Sequence, residues 1–412
     1  MMTFAWKLNH FIYLIMPSLF STFKEFPRIF HFFLIALTTA PGFSQPSNVK
    51  PEFPEIKIYV SKEQLHQLRN VDGVRMELRK TLFLINNDTV LVKDIHSRGA
   101  STLKYARKSL SVDLEHAVTF SAPGEPVKIK KFDLLNLVMD KNLWHNRWAF
   151  INLAELNLFP LFNTYCKLWI NDQPQGIYLL VEKPNYFIGR MKSPYMLRRG
   201  PEHEIKQEYI NTATKPEARQ FKEKYLGMYR DLRKYKNQVL SDHLRSALQL
   251  EHYFDWLAFN YLILNGDYSD EIYFYIHPES STFDIIPWDY DDIFKREPHE
   301  GAKARNLELR DKLIFSIEDE LDRGIASDEL LYSQYCSAFK KMLLTRDPEV
   351  IGRTFDQVLK QLEVIANDPE MNKASGFLEK DSFSIEQAKE DIRISKEFLL
   401  NKRIGLLNVL EK

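Results

Sequence analysis

The chain has 412 residues with 56 acidic and 56 basic side chains, so no global field draws it to nucleic acid or to an anionic surface, and any phosphate site has to be built locally. That length exceeds one small domain and suits two lobes sharing a cleft, and 44% apolar with 27% charged residues is ordinary globular composition. The two cysteines, Cys166 and Cys336, form no CxxC and no Cys/His cluster, which argues against structural zinc and reads as two separate thiols.

At the N-terminus, Arg28 precedes the apolar run Ile29 to Ala40, followed by PGFSQ. A positive flank, a short apolar core and small residues predict a secretory signal over residues 1–44, with Gly42 and Ser44 before a cleavage near Ser44–Gln45. The chain is therefore expected to be secreted, periplasmic or at the cell surface. A second apolar run, FIYLIMPSLF, lengthens the leader. The alternative is an uncleaved N-terminal anchor, although the apolar core is shorter than the ~20 residues of a membrane helix. No later segment reads as a membrane span.

Residues 45–56 are proline-rich and read as a linker. IKIYV, VRMELRK, TLFLINN, TVLVKDIHSR, KSLSVDL and FDLLNLV follow as strands, with Asn86-Asn87-Asp88 as a hairpin signal. Residues 142–158 read as a helix stopped by Pro160, and CKLWI and GIYLLVEK flank NDQPQ as a hairpin. Beyond about residue 190 the pattern becomes helical. Residues 215–240 are charged and helical, 250–264 form a buried-type helix, and only EIYFYIH and TFDIIPW are strands. The fold expected is α+β, with a strand-rich N-lobe (57–190) carrying one long helix and a mainly helical C-lobe (191–412).

The densest acidic constellation is NGDYSDEIYFY followed by DIIPWDYDDIF. A hairpin between the two strands brings Asp267 and Asp289 together, and gathered carboxylates repel unless a cation or a proton compensates. Mg²⁺ with a phosphate completing its shell is the common solution. The competing reading, that these aspartates cap the next helix, is preferred for Asp292 but not for Asp289, where a charge at the end of a buried strand is costly without a purpose. A second constellation is the small-residue turn Arg98-Gly99-Ala100-Ser101-Thr102, with Lys108 on the next strand. Backbone N–H groups and a lysine can hold phosphates, though such a turn is more often only a turn. A third is Glu155 in the helix and Glu182-Lys183 ending an apolar strand; alone, each reads as a solvent-facing charge. The order of these parts is that of protein-kinase-like phosphotransferases. The sequence lacks GxGxxG, VAIK, HRD and DFG, which excludes an ordinary protein kinase.

Over about residues 90–410 the chain resembles the CotH kinase family, named for a spore-coat protein. The resemblance rests on Arg98-Gly99-Ala100-Ser101 with Lys108-Ser109-Leu110, on His145-Asn146-Arg147-Trp148 running to Glu155, and on Gly176 to Lys183 (GIYLLVEK). It rests further on Asn265-Gly266-Asp267 before IYFY, on Trp288-Asp289-Tyr290-Asp291, and on Phe398-Leu399 to Arg403. It implies an atypical kinase fold binding ATP and a divalent metal, Mg²⁺ or Mn²⁺, with a protein or other hydroxyl acceptor. On that footing Asp267 is the catalytic aspartate and Asp289, with Asp291, the metal ligand. Arg98, Ser101 and Lys108 contact phosphate, Lys108 pairs with Glu155, and Glu182 and Lys183 lie near the hinge. Where family members often carry an asparagine after the catalytic aspartate, this chain has Asp270 and Glu271, and Ala100 stands where asparagine is frequent. The alternatives are a kinase-fold scaffold that binds without transfer and, less favoured, a glycoside hydrolase using Asp267 and Asp289.

Overall fold

The structure, a computed structural model, describes residues 53–121, 125–140, 142–374 and 383–411. The expected leader lies outside them, as does most of the expected linker. The linker's last residues are ordered, because β1 (Glu55–Tyr59) opens there. A helix, α1 (Lys62–Asn70), then interrupts the strands; its signal in the sequence is Ser61-x-x-Gln64, a reciprocal capping box. Next come β2 (Leu82–Ile85), β3 (Asp88–Val90), β4 (Val92–Arg98), β5 (Ser109–Phe120) and β6 (Val127–Leu135). Helix α2 (His145–Glu155), β7 (Asn163–Ile170) and β8 (Gln173–Glu182) complete an eight-stranded sheet in the order β3-β2-β1-β7-β8-β6-β5-β4. Residues 74–80, expected as a strand, make only an isolated bridge between Glu77 and His96; Gly73 and Lys80, both at positive φ, bend the chain out of the ladder at each end.

Both expected hairpins form through two-residue turns. Ile85 pairs with Asp88 across Asn86-Asn87, and Ile170 with Gln173 across Asn171-Asp172. All four turn residues have positive φ, between 50° and 68°. That is the backbone that keeps the strands' twist and that Asn and Asp tolerate.

Helix α3 (Pro184–Arg190) leads into β9 (Tyr195–Arg199) and β10 (Ile205–Ile210), and helices α4 (Lys215–Lys234), α5 (Asn237–Ala247) and α6 (Leu250–Ile263) follow. The expected pair β11 (Ile272–Ile276) and β12 (Phe283–Pro287) joins β9 and β10 in a second sheet, β10-β9-β11-β12. The rest is helical: α7 (Ala302–Glu308), α8 (Glu320–Ser327), α9 (Glu329–Thr345), α10 (Pro348–Ala366), α11 (Pro369–Ala374) and α12 (Ile385–Leu410). None of the described helices is long and apolar enough to cross a membrane. Cys166 and Cys336 are both free thiols.

Burial follows the two-residue period of the strands. Along β8, Ile177, Leu179 and Val181 face one core, while Tyr178 and Leu180 face the other. The smaller core lies between the sheet and α1. The larger one takes in α2 and nearly all the later helices. Every residue of α2 from Asn146 to Leu153 is buried, as befits a helix apolar on most sides. Trp148 stacks on Phe355 of α10 with centroids 4.6 Å apart and donates its indole N–H to Thr354 Oγ1 at 3.2 Å. The helix expected to belong to the strand-rich half is thus held from the C-terminal half. These contacts pack α2 against α10, and Asn146 at its start accepts the N–H of Tyr290, just after β12.

Candidate functional site

A cavity of about 580 Å³ lies between the two sheets. One wall is the turn after β4, with Arg98, Gly99, Ala100, Ser101 and Thr102; the next is the segment Leu135–Met139. Asn146 of α2, Arg198 of β9, Lys206 of β10, Glu271, and the segment after β12 carrying Trp288, Asp289, Asp291, Asp292 and His299 close it, together with Asp267.

The turn after β4 needs its glycine: Gly99 sits at φ +110°, and a Cβ there would lie 1.9 Å from Thr102 Oγ1. Arg98 is aimed by Asp133 of β6, whose Oδ2 is 3.3 Å from Arg98 Nε and whose Oδ1 accepts from Ser111 Oγ at 2.7 Å. The guanidinium also lies over Trp288, 6.0 Å from the ring centroid.

Asp267 follows the end of α6. Leu264 terminates that helix in the left-handed conformation, and the buried Asn265 accepts the Asp267 N–H on its own Oδ1 at 3.2 Å. Gly266 is required by close approach, since a Cβ there would stand 2.5 Å from Asp292 Oδ2. The segment after β12 is sewn onto this turn, with Gly266 N–H donating to Asp292 O at 2.9 Å and His299 N–H to Gly266 O at 3.2 Å. Asp289 adopts φ +50°, sparsely populated backbone that aspartate tolerates better than most residues. Its neighbours are clipped to α2: Tyr290 N–H donates to Asn146 Oδ1 at 2.8 Å, and Asp291 O lies 3.3 Å from His145 Nδ1.

The charges of this cavity are unbalanced. Burial first, and then the charges of Asp289, Asp140, Asp292 and Asp267, together push the Asp291 carboxyl up to about 9. Burial also raises Glu271 to about 8, with Asp289 adding to the effect and Arg198 opposing it. Asp289 is open to the cavity yet deeply surrounded by protein, and burial raises it against the pull of Arg98 and Arg198. Asp267 rises to about 6, mainly through burial, with His299 opposing and Asp270, Asp289 and Glu318 contributing. Two of the cavity's cations are engaged with carboxylates: Arg198 pairs with Glu271, and Lys206 with Asp270 at 3.1 Å.

A second cavity, of about 790 Å³, opens on the other side of Asp267, between the turn after β9 and the start of α8. Asp267 is the one described residue that lines both. Glu202, Asp270, Glu300 and Glu318 face this space along with Arg233 and Arg323.

Arg98, Ser101, Asp267, Asp289 and Asp291 therefore converge, and the other candidates do not. Lys108 is buried at 3% exposure and turns away from the cavity. Its ammonium donates to Leu103 O and lies 3.6 Å from Asp72, which straps the 101–104 turn onto β5. Glu155 pairs with Arg346 at 2.5 Å and Arg353 at 2.6 Å, joining α2 to α10 and not to Lys108. Glu182 is fully buried against Arg190 and the Phe162 N–H. Lys183 stands at the start of α3, half-buried, outside the cavity lining. The capping role expected for Asp292 fails because the next helix starts only at Ala302, behind Gly301; Asp292 pairs with Lys295 at 2.7 Å and His299 at 2.9 Å instead. Arg198, Lys206, Asn146 and His299 complete the site. Single basic or amide residues among many carry no local pattern, so only the pairing of β9 with β11 and the return of the 289–299 segment identify them.

A family model described as CotH kinase protein matches residues 95–362. No curated protein matches the sequence. Among solved structures, the proinflammatory kinase CtkA of Helicobacter pylori is similar at 12% identity and a TM-score of 0.28, over 70% of this chain and 94% of that one. HipA, in a Shewanella oneidensis toxin–antitoxin complex with HipB and operator DNA, is similar at 14% identity and a TM-score of 0.33, over 89% of this chain and 76% of that one.

Proposed function

Because the chain belongs to the CotH kinase protein family, we propose that it transfers the terminal phosphoryl group of ATP to a hydroxyl acceptor, with Asp267 as the general base. The observation that carries this reading is the position of Asp267 between two cavities, one for the nucleotide and one for the acceptor. The acceptor oxygen attacks the terminal phosphorus, the bond from that phosphorus to the bridging oxygen breaks, ADP departs, and the hydroxyl proton passes to the Asp267 carboxylate. Burial raises Asp267 to about 6, which keeps it ionised near neutrality yet basic enough to take the proton. Arg98, held by Asp133, faces the phosphates; the apolar segment Leu135–Met139 suits the base.

Among the described residues no three His, Cys, Asp or Glu side chains gather closely enough to hold a metal by themselves. A small divalent cation nonetheless fits the carboxylates present. Burial raises both carboxyls and the Asp289 charge raises Asp291 further, their oxygens are hard donors, and Mg²⁺ ordinarily takes only one or two protein carboxylates and leaves the rest of its shell to phosphate and water. When bound, such a cation neutralises charge on the phosphate oxygens.

Two substitutions test the roles. Asp289→Ala weakens Mg·ATP binding measured by calorimetry. Asp267→Asn leaves binding within a few-fold and lowers transfer, to the chain itself or to casein as a probe, by on the order of a hundredfold. A wild-type chain that binds no nucleotide with Mg²⁺ or Mn²⁺ sinks the reading. A second reading, binding without transfer, draws on Asp270 and Glu271 beside the base and on the withdrawal of Lys108; it is upheld if Mg·ATP binds and no transfer follows. Export through residues 1–44 is proposed as well, and N-terminal sequencing of the exported chain tests it: the mature protein begins near Gln45.

A further inference from the structure

We infer that His299 is the positioning residue of Asp267, a ring held between two carboxylates that fixes one oxygen of the base and leaves the other free for the acceptor hydroxyl. This rests on the kinase reading and adds to it a part for a residue outside the recognised motifs. The ring bridges two carboxylates: Nδ1 lies 3.1 Å from Asp267 Oδ1, and Nε2 lies 2.9 Å from Asp292 Oδ2. The Nε2 contact is a hydrogen bond, and the Nδ1 contact is a close ion-pair approach that draws Asp267 towards the ring. The far end of the bridge is itself braced, because the other Asp292 oxygen is 2.7 Å from Lys295 Nζ. Its backbone is braced too, through His299 N–H to Gly266 O at 3.2 Å and Gly266 N–H to Asp292 O at 2.9 Å.

The arrangement answers an electrostatic need. Asp270, Asp289 and Glu318 all disfavour a charged Asp267, and a protonated Asp267 cannot take the acceptor's proton. The cation of His299 is the main opposing influence on that carboxyl. The groups facing His299 are Asp267 from the turn after α6, Asp292 and Lys295 from its own segment, and, across the cavity, Asp289, Asp291, Arg198 and Lys206.

The test uses the full chain with Mg·ATP and casein as the acceptor probe. His299→Ala lowers kcat by on the order of a hundredfold, the cost of a misplaced reacting group, and changes KM for ATP far less, since both ring nitrogens are taken up by Asp267 and Asp292. His299→Lys, which puts a charged donor back beside Asp267, recovers at least about a tenfold share of the loss. Asp292→Asn, which removes the brace, reproduces part of the loss and decides the matter should the alanine variant fail to fold. An active wild type whose His299→Ala variant matches it in kcat overturns this inference alone, as does a His299→Lys variant no more active than the alanine one. A wild type that binds Mg·ATP and transfers nothing overturns the kinase reading, and this inference with it.

Discussion

Replacing Asp291 by asparagine should make the cation-free protein more stable while making it a poorer binder of Mg·ATP. The carboxyl is pushed from an ordinary 3.8 to about 9. At neutral pH it therefore holds a proton in the native state that the unfolded chain gives up. A group whose native pKa is raised in this way costs stability above its unfolded value, and the cost grows as pH rises until the native pKa is passed. Each pH unit between the unfolded value and pH 7 is worth 1.36 kcal/mol, so the full effect is about 4 kcal/mol. Asp289 shares the same repulsion and water enters through the cavity, so about 2 kcal/mol is the gain expected for Asp291→Asn at pH 7, shrinking towards zero at about pH 4. The side chain has no hydrogen-bond donor among the described residues, so asparagine loses no partner there. Urea unfolding at pH 4, 5.5 and 7 without divalent ions measures the gain, and calorimetry with Mg·ATP measures the loss of affinity, about tenfold or more for one charged ligand. An asparagine variant that is less stable at pH 7, or whose extra stability does not depend on pH, refutes the electrostatic account. Undiminished affinity for Mg·ATP removes Asp291 from the cation site.

Arg98→Met weakens ATP binding by roughly tenfold, the worth of a charge-assisted hydrogen bond, and Asp133→Asn gives a smaller loss of the same kind; nucleotide titrations followed by Trp288 fluorescence read both. Lys108→Met leaves ATP affinity within about twofold but lowers stability by about 1–3 kcal/mol in urea, because Leu103 O loses its donor inside the fold. Glu155→Gln also spares nucleotide binding and costs about 1–2 kcal/mol by leaving the buried Arg346 short of a carboxylate. Hydrogen bonds from Arg353 and Arg346 outweigh burial and hold the Glu155 carboxyl below its ordinary value, so its contribution is present at neutral pH and is lost as pH falls through that depressed pKa. Its variant should converge with the wild type in acid unfolding curves.

How far the sequence alone reached depends on whether the deciding interactions are local. The turns Asn86-Asn87 and Asn171-Asp172, the hairpin of β7 with β8 and the helix ending before Pro160 are properties of a few consecutive residues, and each took the form the sequence implied. The approach of Asp267 and Asp289 was legible for the same reason, since a short hairpin joins them. Ser61-x-x-Gln64 carried the signal for α1 in plain view. The rest depended on where distant segments meet. Lys108 stands just before β5, where the pleat does not yet set its direction, and only the fold of the 101–104 turn beside Asp72 sends its ammonium away from the cavity. Glu155 has no mark distinguishing a cleft partner from a helix partner until the end of α9 brings Arg346 and α10 brings Arg353. Arg198, Lys206 and His299 join the site through strand pairing and loop return across long stretches of chain. The sequence by itself determined which segments could carry strands, helices and concentrated acid, because those follow from side-chain period and turn chemistry. Tertiary structure alone decided which charges face one another, because a salt bridge needs only proximity in space and leaves no periodic trace along the chain.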